Sequence, residues 1–306
     1  MTADSHSAGG KPFEYLFIAD LKALRRKIHR SKGLLNYLWR NVQALPRTAG
    51  GPYYPAFCHL VTGDDAYART ALAEIHKRLE VYLAGDLTLD VHFHTWCNSA
   101  PMVRIAAAYD WIADSGVVSP ADHARIKEAI LDYTLKHPYT TAKSRVRTFD
   151  NQIASMSLCC TLVGYLFGVK RGRDLRAQQL LSAGLTRYPD LFATSPASGY
   201  SHEGSTYFCQ IVAPVVCWYG DMVEQITGES TFQRRFPPGG AAPADILRTY
   251  AKIVSPAGLM PPWDNYGWMR CCSTMGLAYL ARQTGDVWPL RIVEKLNLGA
   301  EPSAIA

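Results

Sequence analysis

The chain has 306 residues, 48% of them hydrophobic and 19% charged, with a formal net charge of +6. That length can bury a sizeable core as one large domain or two small ones, and the mild basicity permits an anionic partner without requiring one. The eight cysteines have no metal-site spacing and fall mostly in apolar helical runs, so they read as free buried thiols rather than disulfides or zinc ligands. Lys and Arg are scattered except around Lys22–Lys32 and Lys143–Arg147. Met1–Lys11 is polar with no apolar signal core, and no run reads as long and apolar enough to span a membrane. The chain as it stands reads as cytoplasmic, although one cut from a longer secreted precursor would read the same.

Strand signals are nearly absent and helical periodicity is everywhere. Phe13–Arg30 carries Phe13, Leu16, Phe17, Leu21, Leu24 and Ile28 on one stripe, which predicts an amphipathic helix, and a short helix follows over Gly33–Val42. From Gly50 a repeat sets in. A short apolar helix Tyr53–Val61 turns at Thr62-Gly63-Asp64 into an amphipathic one, Ala66–Leu83. A loop with His92, His94, Trp96 and Asn98 precedes a helix Met102–Ile112, with Ser99 as cap and Pro101 in the first turn; its partner runs from Ser119-Pro120 to Lys136. The third hairpin has a loop Thr140–Thr148, a cap at Asp150, an apolar helix to Phe167 and a partner Asp174–Thr186.

The fourth hairpin opens on the polar, aromatic stretch Ser198–Tyr207, continues into an apolar helix to Met222, and is partnered by Pro243–Ile253. The fifth has a loop Ser255–Asp264, an inner helix Tyr266–Arg282 and an outer piece Val287–Leu296. With Ser99, Asn151, Gly204 and Asn265 as markers of the inner-helix starts, the separations are 52, 53 and 61 residues. Thr-Gly-Asp/Glu recurs at residues 62, 227 and 284, where glycine suits a left-handed helix end. A period near 50 with helix pairs means an open solenoid or a closed toroid. Inner helices that are apolar nearly all round need cover on both sides, which favours an all-α (α/α) toroid, or incomplete barrel, of about five to six helical hairpins.

In such a ring the inner helices run parallel, and their N-termini open on one end. Four loops would then bring together His92, His94, Trp96 and Asn98; Asp150, Asn151 and Gln152; Tyr200, His202, Glu203 and Tyr207; and Trp263, Asp264 and Tyr266. Helix N-termini also present free N–H groups and a partial positive charge to anions. Aromatics, amides and a positive field suit a sugar chain bearing carboxylates. Each residue has a plainer role open to it. Asp150, Asn151 and Asp264 could be caps, the two histidines and the tryptophans could be packed, and Tyr207 shares a stripe with Ile211, Val215, Trp218 and Met222.

Five segments carry a resemblance: Leu60–Ala68 (LVTGDDAYA), Ala106–Ile112 (AAAYDWI), Asp150–Gln152 (DNQ), Gly199–Tyr207 (GYSHEGSTY) and Pro256–Asp264 (PAGLMPPWD). In that order, over most of residues 50–300, the chain resembles the helical toroid domain of heparinase II/III-like polysaccharide lyases, a superfamily that includes alginate and oligoalginate lyases. The resemblance implies β-elimination at a uronate: neutralise the C6 carboxylate, remove the C5 proton, protonate the departing O4. It places Asn151 on the carboxylate, with Gln152 where relatives often have histidine, and Tyr207 as base and then acid. His202 joins these as a catalytic residue. Substrate-binding roles fall to Gln152, Glu203, Tyr200, Arg147, His92, His94, Trp96, Trp263, Asp264 and Tyr266. The expected partner is an acidic polysaccharide or oligosaccharide rather than nucleic acid or membrane, with no cofactor and no metal.

The implied organisation is a flexible N-terminus 1–12, a toroid domain 13–300 and a tail 301–306, about where the family's C-terminal β-sandwich domain would begin. That domain often contributes a further histidine, so the chain reads as a fragment or as a degenerate relative. Two other classes stay open: a toroid glycoside hydrolase using Glu203 and Asp264 as its carboxylate pair, and a non-catalytic carbohydrate-binding toroid.

Overall fold

A computed structural model describes residues 14–32, 34–44, 51–83, 91–139, 151–199, 212–236, 239–254, 259–260, 269–270 and 275–298. The chain divides into two compact units, one of residues 11–144 with 156–184 and the other chiefly of 145–155 with 185–306. The elements in order are α1 Leu21–Arg30, α2 Leu34–Ala44, α3 Tyr53–Thr62, α4 Asp65–Leu83, α5 Val91–Ile112, α6 Pro120–Lys136 and α7 Asn151–Tyr165, which runs on into a π-helical turn Leu166–Lys170. Then come α8 Leu175–Ala193, α9 Ala213–Thr227, α10 Pro243–Ile253, the strand pair β1 Leu259–Met260 and β2 Met269–Arg270, α11 Met275–Thr284 and α12 Trp288–Leu298.

In the first unit α3 packs on α4 and α5, α4 also touches α6, and α1 and α2 lie against α3. The core of α5 is a run of small and large apolar side chains, Met102 to Ala108 with Trp111 and Ile112, all nearly inaccessible except Arg104. Ser119 caps α6 in a full capping box with Asp122, as its Ser-Pro start predicts. Helices α7 and α8 approach through glycines. A Cβ on Gly164 would stand 2.7 Å from the Ala177 carbonyl oxygen, and one on Gly184 would stand 2.8 Å from the Thr161 amide nitrogen. Larger residues at either position would force the hairpin apart.

The predicted helix Phe13–Arg30 is shorter than its stripe. Residues Tyr15–Ile18 form a tight turn with Phe17 at φ 66°, and α1 starts after an Asp20 cap. Tertiary bonds override the local periodicity here. The fully buried Asp110 carboxylate accepts from the Leu16 amide at 2.7 Å, from Lys170 Nζ at 2.5 Å and from Arg171 Nε at 2.7 Å, while Trp111 Nε1 donates to the Leu16 carbonyl at 2.8 Å. One carboxylate thus ties the N-terminal turn, α5 and the π-helical turn together. Such a group is destabilising alone and stabilising only when fully partnered.

In the second unit α9, α10 and α11 pack on one another and α12 lies on α11. The predicted inner helix Tyr266–Arg282 does not hold over its first part, because Met269–Arg270 pairs antiparallel with Leu259–Met260; α11 is described over Met275–Thr284. The partner predicted as Asp174–Thr186 instead runs through Pro189 to Ala193. The membrane expectation also changes: Gln152–Lys170 is long and apolar enough to cross a bilayer, but 89% of that stretch is buried in the fold, as befits a core helix.

The three Thr-Gly-Asp/Glu turns are the same structure. Gly63, Gly228 and Gly285 have φ 76°, 74° and 73°. In each, the threonine hydroxyl donates four residues back, at 2.7, 2.8 and 2.8 Å, and accepts the amide two residues on, at 3.2, 3.3 and 3.2 Å. The four longest-period helices α5, α7, α9 and α11 start, among the described residues, at Val91, Asn151, Ala213 and Met275. Ser99, expected to mark an inner-helix start, lies inside α5.

Candidate active site

Of the sequence-predicted site residues, Asn151 and Gln152 are the first two residues of α7. They stand at the head of the described part of α7, and a helix N-terminus is an end that favours an anion. Gln152 is half-buried and has a partner within the fold. Arg147, Tyr200, His202, Glu203, Tyr207, Trp263, Asp264 and Tyr266 lie outside the described residues.

His92, His94 and Trp96 are not in a loop. They occupy the first turns of α5, which continues unbroken through Pro101. Ser99-Ala100-Pro101 has the composition of a helix start, but here Pro101 lies inside the helix, although an interior proline removes one backbone hydrogen bond and crowds the carbonyl four residues back. The helical path has a consequence for the site. Positions 92 and 96 are one turn apart on a face, whereas 94 falls roughly opposite them.

The two ends of segment 200–211 are described. Gly199 has φ 74° and accepts no side chain: a Cβ there would collide with the Asp245 carbonyl group and stand 2.6 Å from the Ile246 amide. The Thr249 hydroxyl donates to the Ser198 carbonyl at 2.6 Å, and the Gly199 amide donates to Pro196 at 2.8 Å. Asp245 is itself fixed, accepting the Ala242 amide at 3.0 Å and pairing with Arg235 at 2.9 Å. At its other end the segment enters α9, which packs against α10. Ser198 and Gly199, which precede Tyr200 in the chain, are therefore seated on α10.

A polar cluster that sequence reasoning missed lies further along α9. The Asp221 carboxylate accepts from Arg282 of α11, whose guanidinium also lies over the Tyr279 ring at 4.6 Å. Burial raises Asp221 above the ordinary carboxylate range despite Arg282. Tyr279 and Tyr188 are likewise pushed well up by burial, the latter sharing a hydrogen bond of 2.8 Å with Thr231. Burial takes Tyr53 and Tyr109 to about 12. These phenols stay protonated at neutral pH and cannot act as bases. The signal for the cluster was a lone aspartate on an apolar helix, which is silent about its partner on α11. Cys159 is pushed to about 12 by burial and is inert as a nucleophile. Among the described residues no group of three His, Cys, Asp or Glu converges as a metal centre would need.

No family model and no curated protein sequence matches the chain. Its fold, however, is similar to that of an alginate lyase from Bacteroides ovatus, with 10% identity, a TM-score of 0.50, and coverage of 88% of this chain and 73% of that one. The fold class is all-α, of the helical (α/α) toroid type. At that identity the likeness speaks for the fold alone.

Proposed function

We propose that this protein is a polysaccharide lyase that cleaves a uronate-containing acidic polysaccharide by β-elimination, as a heparinase II/III-like enzyme of the alginate-lyase kind. The observation that carries the reading is the position of Asn151 at the head of the described part of α7, in a chain whose fold resembles that of an alginate lyase. The five sequence segments given above support it independently.

In this reading the amide of Asn151, helped by Gln152 and the helix N-terminus, neutralises the C6 carboxylate and so acidifies C5–H. Tyr207, as phenolate, accepts the C5 proton. The electron pair forms the C4–C5 double bond, the C4–O4 bond breaks, and the Tyr207 phenol returns its proton to O4. No water is consumed. A free phenol has a pKa of about 10, so Tyr207 needs positive surroundings, which His202 and Arg147 would supply. Gln152 donates a hydrogen bond but cannot serve as a base. Glu203, Tyr200, His92, His94, Trp96, Trp263, Asp264 and Tyr266 would hold the flanking sugars.

The test is incubation of the purified protein with alginate, heparosan and heparan sulfate while following the ultraviolet absorbance of unsaturated uronate ends. Product from at least one polymer, lost in Tyr207→Phe, is expected. No product from any of them defeats the reading, and saturated reducing ends in its place would point to hydrolysis by Glu203 and Asp264.

A further inference from the structure

Apart from Arg25, which donates to the Leu60 carbonyl, the cations of the basic run at Lys22–Lys32 have no role in the proposed chemistry and no ion-pair partner among the described residues. Helix α1 contains Lys22, Arg25, Arg26, Lys27, His29 and Arg30 and no acidic residue, so its ten residues carry nearly as much positive charge as the net +6 of the whole chain. Lys22, Arg26 and Arg30 recur every fourth residue, with Arg25 and His29 beside them, while Leu21 and Ile28 turn into the core. The stripe lines an open groove of about 360 Å³, with Glu14 at its edge. That carboxylate is already engaged, accepting the Leu21 amide at 2.8 Å.

Helix stability does not account for this arrangement. Cations in the last turn answer the helix dipole, but Lys22 and Arg25 stand in the first turns, where the dipole opposes them, and like charges four apart repel. Among the described residues none of Lys22, Arg26, Lys27 and Arg30 has an ion-pair partner, whereas the cations of α6 and α8 are matched, Lys127 to Asp174 at 3.0 Å and Arg176 to Glu128 at 2.8 Å. Arg25 is held in place by its Nε donating to the Leu60 carbonyl at 2.8 Å. Successive cations on the stripe are about 6 Å apart along the axis, four residues at the helical rise. A flexible chain with one carboxylate on each sugar can meet several at once.

We propose that the α1 groove is a docking site for an acidic polysaccharide, separate from the residues assigned to catalysis. The polyuronate nature of that chain rests on the proposed function; the anion site itself rests on α1. The charge complementarity is the warrant, since a groove lined by unpaired cations gains most from a polyanion in low salt and loses it as salt screens the attraction.

The experiment measures binding of the full chain to polymeric alginate, with dextran as neutral control and duplex DNA at equal ionic strength, for the native sequence and a Lys22→Gln/Arg26→Gln/Arg30→Gln variant. The expected result is alginate binding that weakens with salt, no dextran binding, and a loss of about tenfold or more in the variant. Thermal unfolding of the variant should be unchanged or raised, because repulsion is relieved. Equal affinity of the two proteins for alginate, or equal binding of dextran, overturns the proposal; tighter binding of DNA than of alginate reassigns the groove to nucleic acid and overturns it too. Tyr207 is intact in the variant, so loss of docking and loss of lyase activity are read separately.

Discussion

Gly199 and Asp245 touch backbone to backbone, with no space between them for a methyl group. Gly63 has almost the same left-handed conformation, φ 76° against 74°, but nothing lies within 4 Å of where its Cβ would be. The pair separates two costs of losing a glycine. Gly63→Ala pays the conformational term alone, about 1 kcal/mol. Gly199→Ala adds overpacking against α10, for a total of about 3 kcal/mol or more. Urea unfolding of the two variants should show that difference; equal midpoints would mean that the 199–245 contact is not made.

Asp110 and Asp114 both bond Arg171, yet they should differ widely in cost. Asp110 is fully buried with Lys170, Arg171 and the Leu16 amide around it. Asp110→Asn leaves buried cations uncompensated and should destabilise by about 3–5 kcal/mol. The Asp114 side chain is 63% exposed, so Asp114→Asn should cost no more than about 1 kcal/mol. Chemical denaturation of both variants checks the order, and a larger loss at 114 would contradict the ion cluster as described.

The carboxylates predict which way stability moves with pH. Bonds from Arg171, Ser119 and Arg176 hold Asp114, Asp122, Glu128 and Asp174 below their ordinary values. A depressed folded value means that the native state binds the proton less tightly than the unfolded chain. Their contribution is therefore present above about pH 4 and is lost as pH falls through the folded values. Asp221 is raised by burial, so its contribution has the opposite sign: it is present at low pH and lost as pH rises through its folded value. Four groups against one give a net loss of stability in acid. Unfolding midpoints measured from about pH 2 to 7 should fall on the acid side, and Arg176→Gln should flatten that fall by releasing Asp174 and Glu128. An acid limb unchanged by Arg176→Gln would remove this network as its source.

For the proposed chemistry, Tyr207→Phe should lower kcat by about 10²–10⁴ with little change in KM, since it removes proton transfer and leaves binding. Asn151→Ala should lower kcat/KM by a factor of about 10²–10³, as expected when a donor to a developing oxyanion is removed. Steady-state rates on the polymer that proves to be the substrate measure both. Wild-type rates in Tyr207→Phe would move the proton transfer to another residue.

The helical character of the chain and most helix positions were legible from one sequence because they depend on local rules. The spacing of apolar residues placed α3, α4, α6 and α10, Ser119-Pro120 marked a capped start, and three Thr-Gly-Asp/Glu triplets marked three identical turns. The same rules failed where distant groups intervened. Leu16 was pulled out of its predicted helix by Asp110 and Trp111, 94 and 95 residues away. Met269–Arg270 left the predicted fifth inner helix to pair with Leu259–Met260. His92, His94 and Trp96 were expected in a loop and lie on α5, because a proline within a helix and a proline opening one have the same local signature.

Sequence alone thus determined the helical class, the repeated hairpin and the residue types that suggest uronate chemistry, each of which follows from neighbours within a turn or two. Only the tertiary structure decided which polar groups are buried together, as at Asp110–Lys170–Arg171 and Asp221–Arg282, and that Gly199 is seated on α10. It also placed Lys22, Arg26 and Arg30 of α1 on an open groove with no ion-pair partner among the described residues. The physical reason is the same throughout: periodicity records which face of a helix is dry, but the partner that makes burial of a charge tolerable comes from far along the chain, and no local pattern names it.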